Sequence, residues 1–254
     1  MAILLEADAV SLSFGGLHVT RDVSFQLESG ERVALIGPNG AGKTTLVNLM
    51  TGDLRPSHGR FRLCGEDITR RSIPQRVRRG LVRSFQTTRL FTSLTVAENV
   101  ALALMQRKAK TWLLLSRATE RPDLRDEWHD ILSRLGLEHL GHCSVSELAY
   151  GQQRLVEIAI ALALRPKVLL LDEPAAGVPH DDAPRILEAI NRLPADIAVL
   201  LIEHDMDLVF RFASRVLVLA AGRLIFQGRP QDVVADPEVR RAYLGSYADA
   251  RARP

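Results

Sequence analysis

Apolar and polar positions alternate through residues 3–27, on both sides of Gly15-Gly16, and the alternation stops at Ser29-Gly30. Period two bounded by glycine turns predicts short antiparallel strands. Arg32–Ile36 reads as a short buried strand, followed by a glycine-rich turn and a helical run over 43–50 that stops near Gly52. Residues 60–63 read as another strand. From about Ser72 to Leu164 the period becomes helical, with runs over 95–106, 126–135 and 152–164, the last ending at Arg165-Pro166. Beyond Pro166 the two periods alternate: strands over 168–171, Ala198–Ile202 and 215–219, helices over 182–192 and Met206–Phe212. Such alternation predicts an α/β core with a parallel sheet. The whole reads as one α/β body with an antiparallel β lobe at its N-terminal end and a helical insertion between about Gln86 and Arg165.

Length and composition fit this picture. At about 150 residues per domain, 254 residues allow one or two. With 46% hydrophobic and 25% charged residues, the chain can bury a core without staples, which argues against disorder and against a disulfide scaffold. Two cysteines, Cys64 and Cys143, fit a reducing compartment. No apolar run reaches the length of a membrane span, and residues 1–9 carry Glu6 and Asp8 without a basic segment, unlike a signal peptide. A net charge of +3 does not by itself argue for nucleic acid, and no nucleic-acid partner is expected. Lysine is scarce, and one of the few, Lys43, sits in the glycine-rich turn.

That turn, Gly37-Pro38-Asn39-Gly40-Ala41-Gly42-Lys43-Thr44, fulfils the pattern G-x-x-x-x-G-K-[ST] between a strand and a helix. Glycines let backbone N–H groups turn inward around a phosphate chain, and the helix adds its positive end. Lys43 is expected to reach the β- and γ-phosphates and the Thr44 hydroxyl to ligate Mg²⁺, with Thr45 beside it. The strand over 168–171 ends in Asp172-Glu173, at the edge of a parallel sheet where ligands bind. Asp172 is a candidate Mg²⁺ ligand and Glu173 a candidate base for an attacking water; two acids capping the next helix is the plainer alternative. His204 follows the strand Ala198–Ile202 through Glu203 and is a candidate γ-phosphate sensor.

In this order the motifs resemble those of the ATP-binding subunits of ABC (ATP-binding cassette) transporters, over nearly the full chain. The resemblance implies a P-loop NTPase fold of one domain over 1–254, with a catalytic lobe over 1–85 and 166–254 and a helical lobe over 86–165. It implies that Phe14 stacks on adenine, that Gln86 in Arg83-Ser84-Phe85-Gln86 joins Mg²⁺ and γ-phosphate to the helical insertion, that Leu148-Ala149-Tyr150-Gly151-Gln152 stands as the signature motif, and that His204 is the switch histidine. In that family the signature of one subunit closes over the nucleotide in the phosphate loop of another. ATP, Mg²⁺ and a head-to-tail pair with a second ATPase subunit, identical or different, are therefore implied. So are two integral membrane permeases, a substrate-binding protein, and a peripheral place on the cytoplasmic face of the cell membrane. The signature also opens the helix over 152–164, which reads as capped by Ser146 with Glu147 in its first turn.

Two positions depart from the family. Ala149 replaces the usual serine and offers no hydroxyl. Pro179, in Ala176-Gly177-Val178-Pro179, stands where the family has Asp or Asn, a role that His180 or Asp181 can take over. The expectation is altered coupling between the two sites with hydrolysis retained. Within the family the chain most resembles the ATPases of branched-chain and hydrophobic amino-acid importers, through residues 82–86, 89–91, 95–99, 148–154 and 172–177, with extra residues over 106–125. Related branches import urea or amides, or extract lipopolysaccharide. A non-transport ABC ATPase is disfavoured by the absence of a second cassette or long coiled coil, and a kinase or GTPase by the absence of Asn-Lys-x-Asp. The basic stretch Arg70, Arg71, Arg76, Arg78, Arg79, Arg83 and Arg89 reads either as a surface near the permease and lipid headgroups or as a solvated helical face. Trp112-Leu113-Leu114-Leu115 reads as insertion core.

Overall fold

The computed structural model describes residues 2–84, 90–108, 119, 121–179 and 183–243. Gln86, Arg89, the 112–115 apolar run, His180 and Asp181 lie outside the described residues. The N-terminal hairpin consists of β1 (Ile3–Phe14) and β2 (Leu17–Glu28), much longer than short strands. Register shifts between Ala7 and Val10 and between Val10 and Leu12 let the ladder continue where a shorter strand was expected, and Ala9 and Asp22 both have left-handed backbone. With β4 (His58–Leu63) and β5 (Glu66–Asp67) they form a four-stranded antiparallel sheet ordered β2-β1-β4-β5.

The second sheet has six strands ordered β10-β9-β3-β8-β7-β6. β3 (Arg32–Ile36), β6 (Leu81–Arg83), β7 (Val168–Asp172), β8 (Ala198–Ile202) and β9 (Arg215–Ala220) run parallel, and β10 (Arg223–Gly228) closes the edge antiparallel to β9. Alternate residues divide between two cores. Val33, Leu35, Leu170, Leu200 and Leu217 face α1 (Lys43–Thr51) and the antiparallel sheet. Ala34, Ile36, Leu171, Leu201 and Val218 face the other side, where the helices pack. A strand covered on both faces must be apolar throughout, which is why β7 and β8 read as unbroken hydrophobic runs.

Between β6 and β7 in the chain stand the helices α3 (Val96–Arg107), α4 (Pro122–Arg134) and α5 (Tyr150–Ala163), while α2 (Ile73–Arg78) precedes β6. The Thr95 hydroxyl caps α3 by accepting from the Glu98 amide at 3.2 Å, while the Glu98 carboxylate accepts from the Thr95 amide at 2.8 Å. α6 (Ala183–Asn191), α7 (Met206–Phe212) and α8 (Pro230–Val233) complete the helices used below. No described helix is long and apolar enough to cross a membrane.

The basic stretch is not one surface. Arg76 lies in α2 (Ile73–Arg78), is 1% exposed and donates to the carbonyls of Leu49 at 2.8 Å, Met50 at 2.5 Å and Thr69 at 2.8 Å. It satisfies carbonyl groups at the C-terminal end of α1, where a helix leaves acceptors unpaired. Arg79 and Arg71 both pair with Glu66. Arg83 points into the site described next.

Candidate functional site

The phosphate loop follows β3 directly. Ile36 ends that strand in the sheet, and Gly37 begins a bend in which the Ala41 amide donates to the Pro38 carbonyl at 3.1 Å. Gly40 and Gly42 have left-handed backbone, and Gly42 is the N-cap of α1. The bend is braced from outside. The Gly222 amide donates to the Ala41 carbonyl at 2.9 Å, and a Cβ on Gly37 would lie 2.1 Å from the Leu219 carbonyl oxygen. The first amides of α1 have no acceptor within the helix and face the bend, which makes this end an anion cradle. Thr44 is exposed there and Thr45 half-buried. The Lys43 ammonium donates to the carbonyls of Gly37 at 2.6 Å and Pro38 at 3.1 Å, so it lies across the bend. Burial pulls the Lys43 ammonium below its ordinary range, while the Glu173 and Asp172 carboxylates oppose that shift. Their fields on Lys43 place both acids at the phosphate loop.

Asp172 ends β7 and is 6% exposed. Its Oδ2 accepts from Arg83 Nη2 at 2.5 Å, and Arg83 Nη1 donates to Asn48 Oδ1 at 2.8 Å. Arg83 thus comes from the neighbouring strand β6 and ties the end of β7 to α1. Its role was not legible in the sequence, because pairing of a three-residue strand with β7 is a long-range event. Glu173 has left-handed backbone (φ 48°), a conformation disfavoured for residues with a Cβ. Hydrogen bonds hold it: its amide donates to the Ile202 carbonyl and its carbonyl accepts from Ala176, both at 3.0 Å. Strain of this kind concentrates where a side chain must be aimed. Glu173 Oε1 lies 3.6 Å from His204 Nδ1. His204 is well exposed, and its amide donates to Glu203 Oε2 at 3.2 Å.

Phe14, at the tip of the first hairpin opposite Leu17, is 55% exposed. An exposed aromatic at a hairpin tip presents a flat apolar face to solvent. The 148–152 segment opens α5 as expected, but with a different cap. The helix starts at Tyr150 with Ala149 as N-cap, and the Gln152 side chain reaches back to accept from the Ala149 amide at 3.0 Å. Ser146 and Glu147 belong to a separate turn, in which Glu147 accepts from the Ser144 amide at 3.2 Å. The Tyr150 hydroxyl accepts from Arg154 Nη2, and the Tyr150 ring lies against Gly177: a Cβ there would sit 3.2 Å from Cε1. The signature segment therefore touches the loop that leaves Glu173.

Among the described residues no group of three or more His, Cys, Asp or Glu side chains could hold a metal by itself. A divalent cation bound chiefly by nucleotide phosphates needs no such cage, and one hydroxyl and one carboxylate, as Thr44 and Asp172 offer, suit magnesium. An amide cradle, a half-buried ammonium, a strand-end acid pair and a histidine at the end of the adjacent strand form a constellation for nucleotide phosphoryl chemistry.

Fold and site together define a phosphate-loop nucleotide hydrolase carrying a helical insertion. Residues 20–176 match the family model described as ABC transporter, and residues 223–249 match one described as Branched-chain amino acid ATP-binding cassette transporter. The chain belongs to the ABC transporter family, as an ATP-binding subunit. It is 38% identical over 251 residues to the high-affinity branched-chain amino acid transport ATP-binding protein BraF of Pseudomonas aeruginosa, covering 95% of this chain and 98% of BraF. It is 39% identical over 251 residues to LivG of Escherichia coli, described in the same words, with the same coverage. The lipopolysaccharide export system ATP-binding protein LptB of Acidithiobacillus ferridurans is 38% identical over 246 residues, covering 96% of this chain and 98% of LptB. Among solved structures, the ADP conformation of MJ1267, an ATP-binding cassette of an ABC transporter, superposes with a TM-score of 0.83 at 32% identity, covering 96% of this chain and all of that one.

Proposed function

We propose that this chain hydrolyses ATP to energise uptake of branched-chain and other hydrophobic amino acids through two separate integral membrane permeases. The observation that carries the cargo is the match of residues 223–249 to the branched-chain family model, outside the region common to ABC ATPases. In this reading the chain sits on the cytoplasmic face of the membrane, paired head-to-tail with a second ATPase subunit, and a substrate-binding protein delivers the cargo. The catalytic lobe spans 1–85 and 166–254, and the helical lobe over 86–165 passes movement to the permeases.

The phosphates of ATP lie in the cradle of residues 37–45, and adenine stacks on Phe14. Thr44 and Asp172, with Gln86, would hold Mg²⁺, which would supply positive charge at the phosphates. Arg83 releases Asp172 for that role. Glu173 accepts a proton from the attacking water, and Lys43 and His204 donate to the γ-phosphoryl oxygens as charge develops there. Residues 149–152 of the paired subunit offer helix N-terminal amides to the same nucleotide, without a hydroxyl at Ala149.

The LptB relative supports a second reading, lipopolysaccharide extraction. Reconstitution of this chain with its permeases and substrate-binding protein separates the two. Leucine-stimulated ATP hydrolysis and leucine accumulation in proteoliposomes are expected. Stimulation by lipopolysaccharide and not by leucine would overturn the cargo assignment.

A further inference from the structure

Glu203 is a buried acid that the mechanism above leaves unused. It follows β8 directly, is 3% exposed, and immediately precedes His204. Its Oε2 accepts the His204 amide at 3.2 Å and lies 3.9 Å from His204 Nδ1, the same ring nitrogen that Glu173 Oε1 approaches at 3.6 Å. The Ala175 amide also favours the charged form of this carboxyl. Ala175 lies two residues beyond Glu173, in the turn closed by the bonds from Ala176 to Glu173 and from Val178 to Ala175. Oε1 is buried with no hydrogen-bond partner among the described residues.

We infer that Glu203 is a positioning residue for hydrolysis: its carboxyl holds the loop that carries His204 against the turn that follows Glu173, and so sets the relation between base and switch. This rests on the hydrolytic reading above. A residue kept for stability is a poor account of the same geometry. A buried carboxyl with one unpartnered oxygen opposes folding, which offsets the single hydrogen bond it accepts. Burial does push the Glu203 carboxyl up from its ordinary range, with the His204 and Ala175 amides opposing. The His204 amide needs an acceptor, which a glutamine carbonyl supplies as well as a carboxylate does.

The test compares E203M and E203Q with wild type in the full chain assembled with its permeases, measuring kcat and KM for ATP and the Tm of each purified chain. Wild-type hydrolysis is the check on the hydrolytic reading itself. For E203M we expect kcat to fall at least about tenfold, with KM for ATP within about twofold and Tm unchanged or raised. For E203Q, kcat should stay within about threefold of wild type, because the acceptor survives. The inference is overturned by E203M turnover within twofold of wild type, by equal losses in E203M and E203Q, or by a fall in Tm that accompanies the loss of kcat.

Discussion

Replacing Arg83 with methionine removes the cation that grips Asp172 while preserving most of the stem that packs beside β7. The pair is largely buried, at 15% and 6% side-chain exposure. Breaking a buried pair by removing one partner costs about 3–5 kcal/mol, since the other charge stays behind. Lys43 also acts electrostatically with Asp172, which points to the lower end, about 3 kcal/mol. For a chain of this size that is a fall in Tm of roughly 6–12 °C without nucleotide. Magnesium nucleotide then supplies the positive charge that Arg83 no longer does. Its stabilising increment in R83M should exceed that in wild type by several degrees, and chelation with EDTA should abolish the difference. Thermal scans of both proteins, with and without a non-hydrolysable ATP analogue and magnesium, read this directly. A double cycle with D172N should return a coupling of about 2–3 kcal/mol in the nucleotide-free state. Equal nucleotide-induced increments in the two proteins would refute the idea that Arg83 stands in for the metal at Asp172.

Further outcomes are expected. E173Q should bind ATP normally but lose about 10²–10⁴-fold in kcat, and unimpaired turnover would remove Glu173 as the base. R76M should lower Tm by several degrees, because it strands four carbonyls on α1 and the segment before α2 at about 1–3 kcal/mol each, partly offset by removing a buried charge; a Tm unchanged in calorimetry would contradict this. Pro179→Asp should change the cooperativity of ATP hydrolysis in the paired subunits, and an unaltered rate and Hill slope would show that Pro179 does not affect coupling. The raised Glu203 carboxyl means that the folded chain holds its proton more tightly than the unfolded one. Stability from this group is present at acid pH and lost as pH rises from the unfolded value through the folded one. The Tm gain of E203Q over wild type should therefore be larger at about pH 8 than at about pH 5.

Much of the core was legible. Arg32–Ile36, Ala198–Ile202 and Met206–Phe212 fold with the bounds that periodicity predicts, because strands covered on both faces are apolar throughout and helix α7 begins at an Asp205 cap. The edges were not. β6 has three residues and β10 alternates only weakly, and each is a strand because a neighbour offers a ladder, which no local pattern records. α5 begins at Tyr150 because Gln152 replaces a capping side chain at Ala149, so the serine and glutamate upstream gave a misleading start. At the site, the glycine loop and the acid pair announce themselves by spacing. Arg83 and Asn48 do not, since their partners lie on other strands and helices, and the depth at which Glu203 is buried is set by the tertiary fold.

The contact between Tyr150 and Gly177 bears on how the helical insertion can move. On one side is a flat ring and on the other a backbone without a side chain, so nothing interlocks. A joint of that kind resists separation, through the dispersion forces of a ring on a peptide, and offers little resistance to sliding. The insertion can swivel over the turn that leaves Glu173 and remain seated on it. An alanine at Gly177 would bring a strained backbone, since φ is +77°, and a methyl group against the ring. It would turn a bearing into a catch, and the turnover of the assembled transporter should slow while each closed nucleotide site keeps its chemistry.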